Sequence, residues 1–337
     1  MLDAAIVGLG WWGRTLVRAV QGRSTSLRFV AGATRRRETA EAFAQEYGFH
    51  LHDSFEDVLA DTSVAAVVLA TPHLDHERQI IAAARAGKHV FVEKPFTLDR
   101  ASAERAVNAV REAGVTVALG HNRRFHPNMA DLRARLARGA LGTLLHVEAT
   151  MTSPSGLFMA SGNWRADPEQ SPVGGMAPLG IHMVDAMIDL VGPVTDVIAQ
   201  TTHRAAATGV LDTTGVLLRF DNGVTGYLSC MIATAPSYRL CLYGSAGIAE
   251  IRGPKLDELV FRACPDSPNA AGVAAPPPEH VDRPGVDTVA LELDAFADAV
   301  SGDRPYPITQ EQMVHGAAVY EAIAASAPQR QVVAVSK

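Results

Sequence analysis

Three glycines near the start of the sequence have the spacing of a phosphate-binding turn. Gly8, Gly10 and Gly13 form G-x-G-x-x-G between an apolar run at residues 4–7 and a helical stretch at residues 14–20. The first glycine permits a tight turn, the second lets the backbone approach a pyrophosphate, and the third lets helix and strand pack closely. N–H groups at the helix start then face the phosphates, aided by the helix dipole. A purely structural turn is the alternative, but the strand–glycine–helix context predicts a dinucleotide site that includes Trp11 and Trp12.

The end of the second predicted strand bears on which dinucleotide binds. A carboxylate about 20 residues beyond the glycines normally holds the ribose 2′-hydroxyl of NAD. Here the strand at residues 27–33 is followed by Thr34 and then by three arginines at 35–37. Thr34 offers a hydroxyl, and Arg35 offers a fork of donors suited to phosphate. The alternative is that the arginines form a solvated helix start. We favour NADP as the cofactor, with NAD as the alternative.

Polar residues follow the other predicted strands at their carboxyl ends, where parallel sheets bind ligands. The expected cofactor-binding residues at these ends are Thr71, Pro72, His73, Glu93, Lys94 and Asn122. Lys94 has the most informative position, because it follows a buried strand and precedes a proline, where a nicotinamide would lie. An ordinary surface lysine is the other interpretation, and spacing alone does not separate the two. Lys94-Pro95 is a candidate for a cis peptide bond.

A second polar group lies on a largely apolar helix at residues 181–191. At 100° per residue, His182, Asp185 and Asp189 fall on one stripe, which must face a partner, a cleft or water. A satisfied core pair of His and Asp is the alternative. The preceding Ser-, Pro- and Gly-rich loop contains Trp164 and Arg165. An indole and a guanidinium suit a polyhydroxylated ligand, which needs a stacking face and hydrogen bonds, so the loop favours a cleft.

The elements that carry these residues fall into two parts. Up to residue 120, strands and helices alternate, which predicts a doubly wound parallel sheet covered on both faces. Beyond it come an amphipathic helix, several strands joined by turns, and two closing helices at residues 288–301 and 310–325. We therefore place a dinucleotide-binding domain at 1–121 and a second α/β domain at 122–337. Residues 265–284, rich in Pro, Ala and Gly, are expected to form an exposed loop.

Composition limits the classes of function and partner. The 337 residues are 47% hydrophobic and 20% charged, with a formal net charge of −6, which gives no electrostatic reason to expect nucleic acid or an anionic membrane as partner. Three cysteines fit neither a disulfide framework nor a metal pattern, and no targeting or membrane-spanning segment is recognisable. We expect a cytoplasmic protein with reduced thiols.

Histidines near the predicted strand ends raise the question of a metal. His73, His76, His121 and His126 have a metal-like composition, but no third ligand shares a convincing spacing with any pair of them. We expect no metal site.

The motifs together resemble the glucose–fructose oxidoreductase/inositol dehydrogenase/MocA (Gfo/Idh/MocA) family. The matching segments are the glycine turn, Thr71-Pro72 with His76, residues 86–90 running into Glu93-Lys94-Pro95, residues 122–127, Trp164-Arg165, Gly174-Gly175, and Gly180-Ile181-His182 with Asp185. They extend from residue 4 to residue 193.

The resemblance implies a fold and a reaction. The fold is an N-terminal Rossmann domain followed by an α/β domain with a large, mostly antiparallel open sheet, which in relatives commonly mediates homo-oligomerisation. The reaction is hydride transfer between a nicotinamide and a carbinol or keto carbon of a sugar, cyclitol or related polyol. Lys94 would stabilise the reacting oxygen, and His182 would act as general acid/base. Arg123, Trp164 and Arg165, with Lys94 and His182, would bind the substrate.

One departure from the family pattern affects this expectation. Many relatives carry an Asp four residues before the histidine, whereas this sequence has Pro178. Asp185, Lys94 or a water must then take over its task, and we place Asp185 among the catalytic candidates. Two alternative functions stay open: a tightly bound nucleotide used for internal redox in another reaction, such as glycoside cleavage, or a non-catalytic cofactor-sensing protein.

Overall fold

The computed structural model describes residues 1–265 and 276–336. Its residues divide into two compact units. Unit 1 comprises Met1–Asn122 and Asp287–Ala317, and unit 2 comprises Arg123–Val286 and Ala318–Lys337.

Unit 1 contains a parallel sheet of six strands in the order β3-β2-β1-β4-β5-β6. The strands are β1 (Leu2–Val7), β2 (Leu27–Ala33), β3 (His50–His52), β4 (Ala66–Leu69), β5 (His89–Glu93) and β6 (Val117–Gly120). The intervening helices are α1 (Trp11–Val20), α2 (Glu41–Tyr47), α3 (Phe55–Ala60), α4 (His76–Arg85) and α5 (Arg100–Ala113). This order is the doubly wound arrangement that the alternation of strands and helices predicts, and it confirms the expected Rossmann fold.

The sequence accounts for this sheet through burial and helix caps. β4 is the apolar run AVVL and is buried throughout, as a central strand covered on both faces must be. Ser54 and Asp57 form a capping box at the start of α3, and Asp99 caps α5 by accepting a hydrogen bond from the Ser102 N–H at 2.8 Å. Each cap satisfies an N–H group that the first helical turn leaves without an intrahelical partner.

Unit 2 is built on a nine-stranded sheet in the order β14-β13-β12-β11-β7-β10-β9-β8-β15. Its strands are β7 (Leu144–Thr152), β8 (Val194–Thr202), β9 (Thr213–Phe220), β10 (Thr225–Met231), β11 (Ser237–Gly244), β12 (Gly247–Arg252), β13 (Glu258–Ala263), β14 (Glu279–Asp282) and β15 (Val333–Ala334). The helices that lie wholly within its described residues are α6 (Pro127–Ala137) and α7 (Gly180–Leu190). Only β7 and β10 are paired in parallel among the described strands of this sheet, so the large, mostly antiparallel sheet is also confirmed.

Alternation along the central strands gives this sheet two different faces. Val147, Ala149 and Met151 of β7 are buried on the face against which α7 packs. On the opposite face, Leu217 and Tyr227 are paired across β9 and β10 and are 55% and 40% exposed. The sheet therefore has one core face and one face that the described helices of unit 2 leave accessible.

Residues Asp287–Ala317 group with unit 1, although the sequence analysis placed them in the second domain. α8 (Thr288–Ser301) buries Leu293 and Phe296 among the side chains of β1 and β2, and the Phe296 ring lies 5.8 Å from that of Phe91. Beyond α8, the Tyr306 hydroxyl donates to the Leu119 carbonyl at 2.9 Å. α9 (Gln310–Gln329) begins in unit 1 and continues into unit 2.

Three short strands were not predicted. β3 and β15 are edge elements of three and two residues, too short for alternation to show in the sequence. The loop expected at residues 265–284 is wrong for Glu279–Asp282, which pair with β13 as β14. Residues 266–275 of that loop lie outside the described residues. No helix in the described part of the chain combines the length and apolar character needed to cross a bilayer.

Candidate active site

The glycine turn between β1 and α1 has the geometry of a phosphate site. Gly8 has φ +95°, and a Cβ there would lie 2.5 Å from the Ala70 carbonyl oxygen. A Cβ on Gly13 would collide with the Gly8 carbonyl, whereas one on Gly10 would meet nothing within 4 Å. Gly10 is the N-cap of α1 and makes no side-chain capping bond, so the first N–H groups of the helix are available to an anion. The residues present therefore fit a dinucleotide pyrophosphate.

The two tryptophans of this turn differ in their surroundings. Trp11 is 75% exposed, and its ring centroid lies 5.3 Å from that of Trp12. The indole N–H of Trp12 is buried without a hydrogen-bond acceptor among the described residues.

The three arginines after β2 are not equivalent. Arg35 and Arg36 are exposed and make no ion pair with any described residue. Arg37 is engaged instead, because its guanidinium pairs with Asp53 and donates to the Leu51 carbonyl at 2.7 Å. Thr34, Arg35 and Arg36 are therefore the groups at the end of β2 that are available to an anionic ligand.

Lys94 follows β5 at the carboxyl edge of the sheet. Its backbone N–H donates to Glu93 Oε2 at 3.3 Å, and Glu93 is itself buried. A Cβ on Gly120, the residue of β6 paired with Glu93, would lie 2.8 Å from Glu93 Oε1, so a glycine makes room for this carboxylate. The Lys94-Pro95 bond is cis, which confirms that prediction.

The remaining predicted cofactor residues lie at the carboxyl ends of β4 and β6. Thr71 lies two residues beyond the end of β4, and its hydroxyl donates to Gln79 Oε1 at 2.5 Å. Pro72 precedes a 3-10 turn in which His73 is buried. Asn122 follows β6 and donates to the Thr288 hydroxyl at 2.8 Å. β4 and β5 lie successively on one side of β1, so these residues and Lys94 occupy the same sheet edge as the glycine turn.

The predicted polar stripe of α7 is buried. His182 is 7% exposed, and its backbone N–H donates to the Leu179 carbonyl at 3.1 Å. Asp185 lies one turn later and is 8% exposed. Pro178 precedes the helix by two residues.

Asp185 belongs to a buried ion-pair cluster. Arg124, whose side chain is 1% exposed, binds both Asp185 carboxylate oxygens, from Nε at 3.0 Å and from Nη2 at 2.6 Å. The same guanidinium reaches Asp189 Oδ1 at 3.3 Å, and Arg133 binds the other Asp189 oxygen at 2.7 Å. The polar stripe of α7 is thus partly occupied by this cluster, and both Asp185 carboxylate oxygens are engaged by Arg124.

Arg123 lies in a different environment from its neighbour Arg124. Its guanidinium lies 5.4 Å from the centre of the Tyr238 ring and donates from Nη1 to the Pro254 carbonyl at 3.3 Å. Arg123 Nε is buried without an acceptor, and burial lowers the pKa of this arginine. The Tyr238 hydroxyl is also buried without a partner among the described residues, and burial raises its pKa.

Trp164 and Arg165 lie in a 3-10 turn that Asn163 caps. The Arg165 guanidinium lies 4.2 Å from the centre of the Trp164 ring, in the geometry of a cation–π contact. The two residues were predicted to offer a substrate a stacking face and hydrogen bonds, and in the structure their side chains contact each other.

Sequence reasoning gave no site role to Arg124, Tyr238 or His76. Arg124 and Tyr238 are separated by dozens of residues from the partners that define their surroundings, and no local pattern signals such pairing. His76 was noted as part of a motif, but nothing in the sequence shows where its ring points. No group of three His, Cys, Asp or Glu side chains in the described ranges could hold a metal ion.

Comparisons with known proteins agree on one family. The model of the Gfo/Idh/MocA oxidoreductase family, with its NAD-binding Rossmann fold, matches residues 2–121, and the model of the Gfo/Idh/MocA C-terminal domain matches residues 129–250. Trans-1,2-dihydrobenzene-1,2-diol dehydrogenase of Mus musculus is 30% identical over 230 residues, 68% of each chain. YrbE of Bacillus subtilis, an uncharacterised oxidoreductase, is 28% identical over 295 residues, 82% of this chain and 79% of that protein.

Solved structures share the whole fold. Levoglucosan dehydrogenase, in a complex with NADH and L-sorbose, superposes with a TM-score of 0.89 at 21% identity, covering 100% of this chain and 99% of that one. An oxidoreductase domain protein from Kribbella flavida gives the same TM-score, identity and coverage. The chain therefore belongs to the Gfo/Idh/MocA family of oxidoreductases and carries the family's NAD-binding Rossmann domain.

Proposed function

We propose that this oxidoreductase transfers a hydride between NADP and a carbinol or keto carbon of a sugar, cyclitol or related polyol. The observation that carries the proposal is the position of Lys94. It follows β5, and β5 is two strands from β1, which leads into the glycine turn. Adjacent strands are about 4.8 Å apart, so Lys94 lies roughly 10 Å along the sheet edge from the pyrophosphate-binding turn. That is the direction in which a dinucleotide extends its nicotinamide.

Each residue has one task in the proposed oxidation. A nicotinamide cofactor held at its pyrophosphate by the Gly8–Gly13 turn would supply the acceptor for the hydride of the carbinol carbon. The Lys94 ammonium donates a hydrogen bond to the reacting oxygen and stabilises the negative charge that develops there. His182 takes the hydroxyl proton as general base and returns it as general acid in the reduction. The products are a carbonyl compound, a reduced cofactor and a proton on the imidazole.

Pro178 leaves the orientation of His182 to other groups. The Asp185 carboxylate is held at both oxygens by Arg124, one helical turn from His182. This arrangement favours a role for Asp185 in fixing α7, and so the imidazole, rather than in accepting a proton. The task that the resemblance gives to an aspartate at position 178 is then left to water or Lys94.

A sugar-like substrate is supported by the donors of unit 2 and by the relatives. Arg123, which is half-buried, and the Trp164–Arg165 pair offer hydrogen-bond donors and a ring face. The mouse relative is a dehydrogenase of a trans-dihydrodiol, and a structural neighbour binds levoglucosan. Both are compounds with hydroxyl-bearing ring carbons.

NADP is favoured by the charge at the end of β2. Thr34 and Arg35 are available to a 2′-phosphate, and no carboxylate follows the strand directly. The levoglucosan dehydrogenase neighbour binds NADH, so likeness in fold does not choose between the two cofactors. NAD is therefore the alternative that the cofactor measurement must test.

A substrate screen tests the proposal. The purified protein is incubated with NADP⁺ or NAD⁺ and levoglucosan, inositols, aldoses or a trans-dihydrodiol, and the absorbance of the reduced nicotinamide is followed. Turnover of at least one polyol, faster with NADP⁺, is expected. Nucleotide that stays bound through gel filtration, with no net reduction but with glycoside cleavage, would favour internal redox. Nucleotide binding without either reaction would favour a cofactor sensor.

The proposed partners are the small-molecule substrate and further copies of this chain. The accessible face of the unit 2 sheet carries the exposed Leu217 and Tyr227. Apolar and aromatic side chains at a sheet centre are suited to contact between subunits. We propose that a homo-oligomer forms through this face. The proposal does not include nucleic acid or a membrane as a partner.

A further inference from the structure

We infer that His76 is a positioning residue that fixes the backbone around Lys94 by joining the end of β4 to the segment after β5. The inference rests on the proposed role of Lys94. It concerns a side chain that binds neither substrate nor cofactor and acts through the backbone.

The His76 ring lies between two backbone carbonyls. His76 is the first residue of α4 and is fully buried, at 0% exposure. Its Nδ1 lies 2.9 Å from the carbonyl oxygen of Pro95, and its Nε2 lies 3.2 Å from that of Thr71. Pro95 follows Lys94 directly and Thr71 follows the end of β4, so one imidazole spans two neighbouring strand ends.

The chemistry of the ring makes these contacts unequal. A neutral imidazole has one N–H donor, and both of its partners here are acceptors. Burial lowers the pKa of His76, which favours the neutral ring with a single donor. The Nδ1 contact is the shorter, and the Thr71 residue is also held by α4 through the hydroxyl bond to Gln79 at 2.5 Å. The Pro95 contact is therefore the one whose loss should alter the position of Lys94.

The Phe96 backbone also forms a hydrogen bond with His76, and Phe96 lies in the same segment after β5 as Pro95. Asp75 acts on His76 through its charge, and the His73 ring centroid is 6.0 Å away. A buried histidine that only stabilised the fold would need an acceptor for its N–H, but that acceptor could lie anywhere nearby. The acceptor here is the carbonyl of Pro95, the residue directly after Lys94, which favours a role in positioning Lys94.

Three substitutions separate the contacts. His76→Leu keeps much of the volume and removes both nitrogens. His76→Asn places an amide N–H where the ring has Nδ1, and so retains the Pro95 contact. His76→Gln reaches the place of Nε2, and so retains the Thr71 contact. Displacement of a catalytic group by about 1 Å can cost on the order of 10²-fold in rate.

The measurements are kcat with NADP⁺ and the polyol of highest rate in the screen, KM for that polyol, the Kd of NADPH, and the rate at which trinitrobenzenesulfonate labels Lys94. We expect His76→Leu and His76→Gln to lower kcat by roughly 10- to 100-fold and to change the labelling rate, with the NADPH Kd within about threefold of wild type. In His76→Asn, which retains the Pro95 contact, kcat and the labelling rate should stay near the wild-type values. His89→Ala is the matched control, because His89 Nδ1 accepts from the Thr116 N–H at 3.0 Å at the opposite end of β5.

Specific results would overturn the inference. Wild-type kcat and labelling in a folded His76→Leu, or equal values in His76→Asn and His76→Gln, would show that the Pro95 contact does not position Lys94. The Asn and Gln pair decides the matter even if His76→Leu does not fold. Full turnover in Lys94→Ala would refute the proposed function instead, and the Lys94 labelling rates would then still decide the role of His76.

Discussion

Arg35 and Arg37 are two residues apart and yet have different surroundings. Arg37 is committed to Asp53 and the Leu51 carbonyl, whereas Arg35 is exposed and makes no ion pair with the described residues. A residue held by protein groups contributes to local structure, and one that is not can bind a ligand phosphate. The composition of the three-arginine run could not show this difference, because Asp53 lies 16 residues from Arg37.

The first prediction concerns the cofactor phosphate. Arg35→Ala should weaken NADPH binding by roughly 10- to 100-fold, because a hydrogen bond to a charged group contributes about 1.5–3 kcal/mol. The Kd of NADH should stay unchanged, since NADH lacks the 2′-phosphate. Fluorescence titration measures both, with Arg37→Ala as the control that leaves the NADPH preference intact. Equal loss of affinity for both nucleotides would rule out a role in recognising the phosphate.

Sequence reasoning identified the residues that come shortly after a predicted strand, because the chain itself fixes their position relative to the strand end. Lys94, Thr71 and the glycine turn follow strands that their apolar runs predict. The Arg124–Asp185 pair joins residues 61 apart within unit 2 and could not be foreseen, since no periodicity relates the segment before α6 to the middle of α7. The same limit applies to His76 and the Pro95 carbonyl.

The element that depends most on such a distant pair is α7. It is buried along nearly its whole length and is anchored at Asp185 and Asp189 by two arginines. Removing one partner of a buried ion pair costs about 3–5 kcal/mol, because the other charge is left without compensation.

The second prediction follows for α7. Asp185→Ala should lower the free energy of opening of α7 by about 3–5 kcal/mol, measured as loss of amide hydrogen-exchange protection over residues 181–190. Arg133→Ala is the control, because the Arg133 side chain is 35% exposed and should cost about 1 kcal/mol or less. Unaltered protection in Asp185→Ala, together with a large fall in kcat, would indicate a direct catalytic task for this carboxylate.

The loop between β8 and β9 depends on a single carboxylate. Asp212 is 1% exposed and accepts hydrogen bonds from the N–H groups of Arg204, Ala205 and Ala206 at 2.6–2.9 Å. Burial by itself raises the pKa of Asp212, but the three backbone N–H groups outweigh it and lower the pKa to about 2. The ionised form of the Asp212 carboxyl is therefore more stable, relative to its protonated form, in the folded protein than in the unfolded chain.

The third prediction is a dependence of stability on pH. Because the folded pKa of Asp212 lies below the unfolded value, its contribution is complete above pH 4 and is lost as the pH falls towards 2. We expect Asp212→Asn to be less stable than wild type by about 2 kcal/mol at pH 7 and by almost nothing near pH 2. Urea unfolding at a series of pH values measures the difference. A difference independent of pH would show that the charge of Asp212 is not what holds the loop.

Among the elements, those with a local signal can be predicted from the sequence. The caps Ser54 and Asp99, the helix-ending Gly114 and the hairpin turn at Asp221-Asn222-Gly223 all act within a few residues of where they lie. β3, β14 and β15 have two to four residues each and exist because a neighbouring strand offers hydrogen bonds. Pairing with a neighbouring strand determines whether such short strands form, and neither β-propensity nor hydrophobic periodicity contains that information.

At the scale of the whole molecule, the order of segments in the chain differs from their grouping in space. α8 follows the unit 2 strands in sequence but buries its apolar side on the unit 1 sheet through Leu293 and Phe296. The amphipathic pattern of α8 shows that its apolar side must pack against another element, but the pattern does not specify which of the two sheets provides that contact. Assigning residues 287–317 to a unit therefore required the coordinates.

The fourth prediction concerns assembly. If the accessible face of the unit 2 sheet joins subunits, Leu217→Asp and Tyr227→Asp together should convert the native oligomer to monomer, because buried unpaired carboxylates oppose association. Sedimentation velocity measures the mass, with the exposed Leu291→Asp of α8 as control. A monomeric wild-type protein, or an oligomer that tolerates both substitutions, would contradict the assignment of this face.

The central claim is that Lys94 stabilises the reacting oxygen, and kcat of Lys94→Ala tests it most directly. With the polyol of highest rate in the screen and NADP⁺, we expect kcat to fall by a factor on the order of 10² or more, while the NADPH Kd stays within about threefold of wild type. That outcome would match the loss of a group that acts mainly in the transition state. An unchanged kcat in this variant would contradict the account.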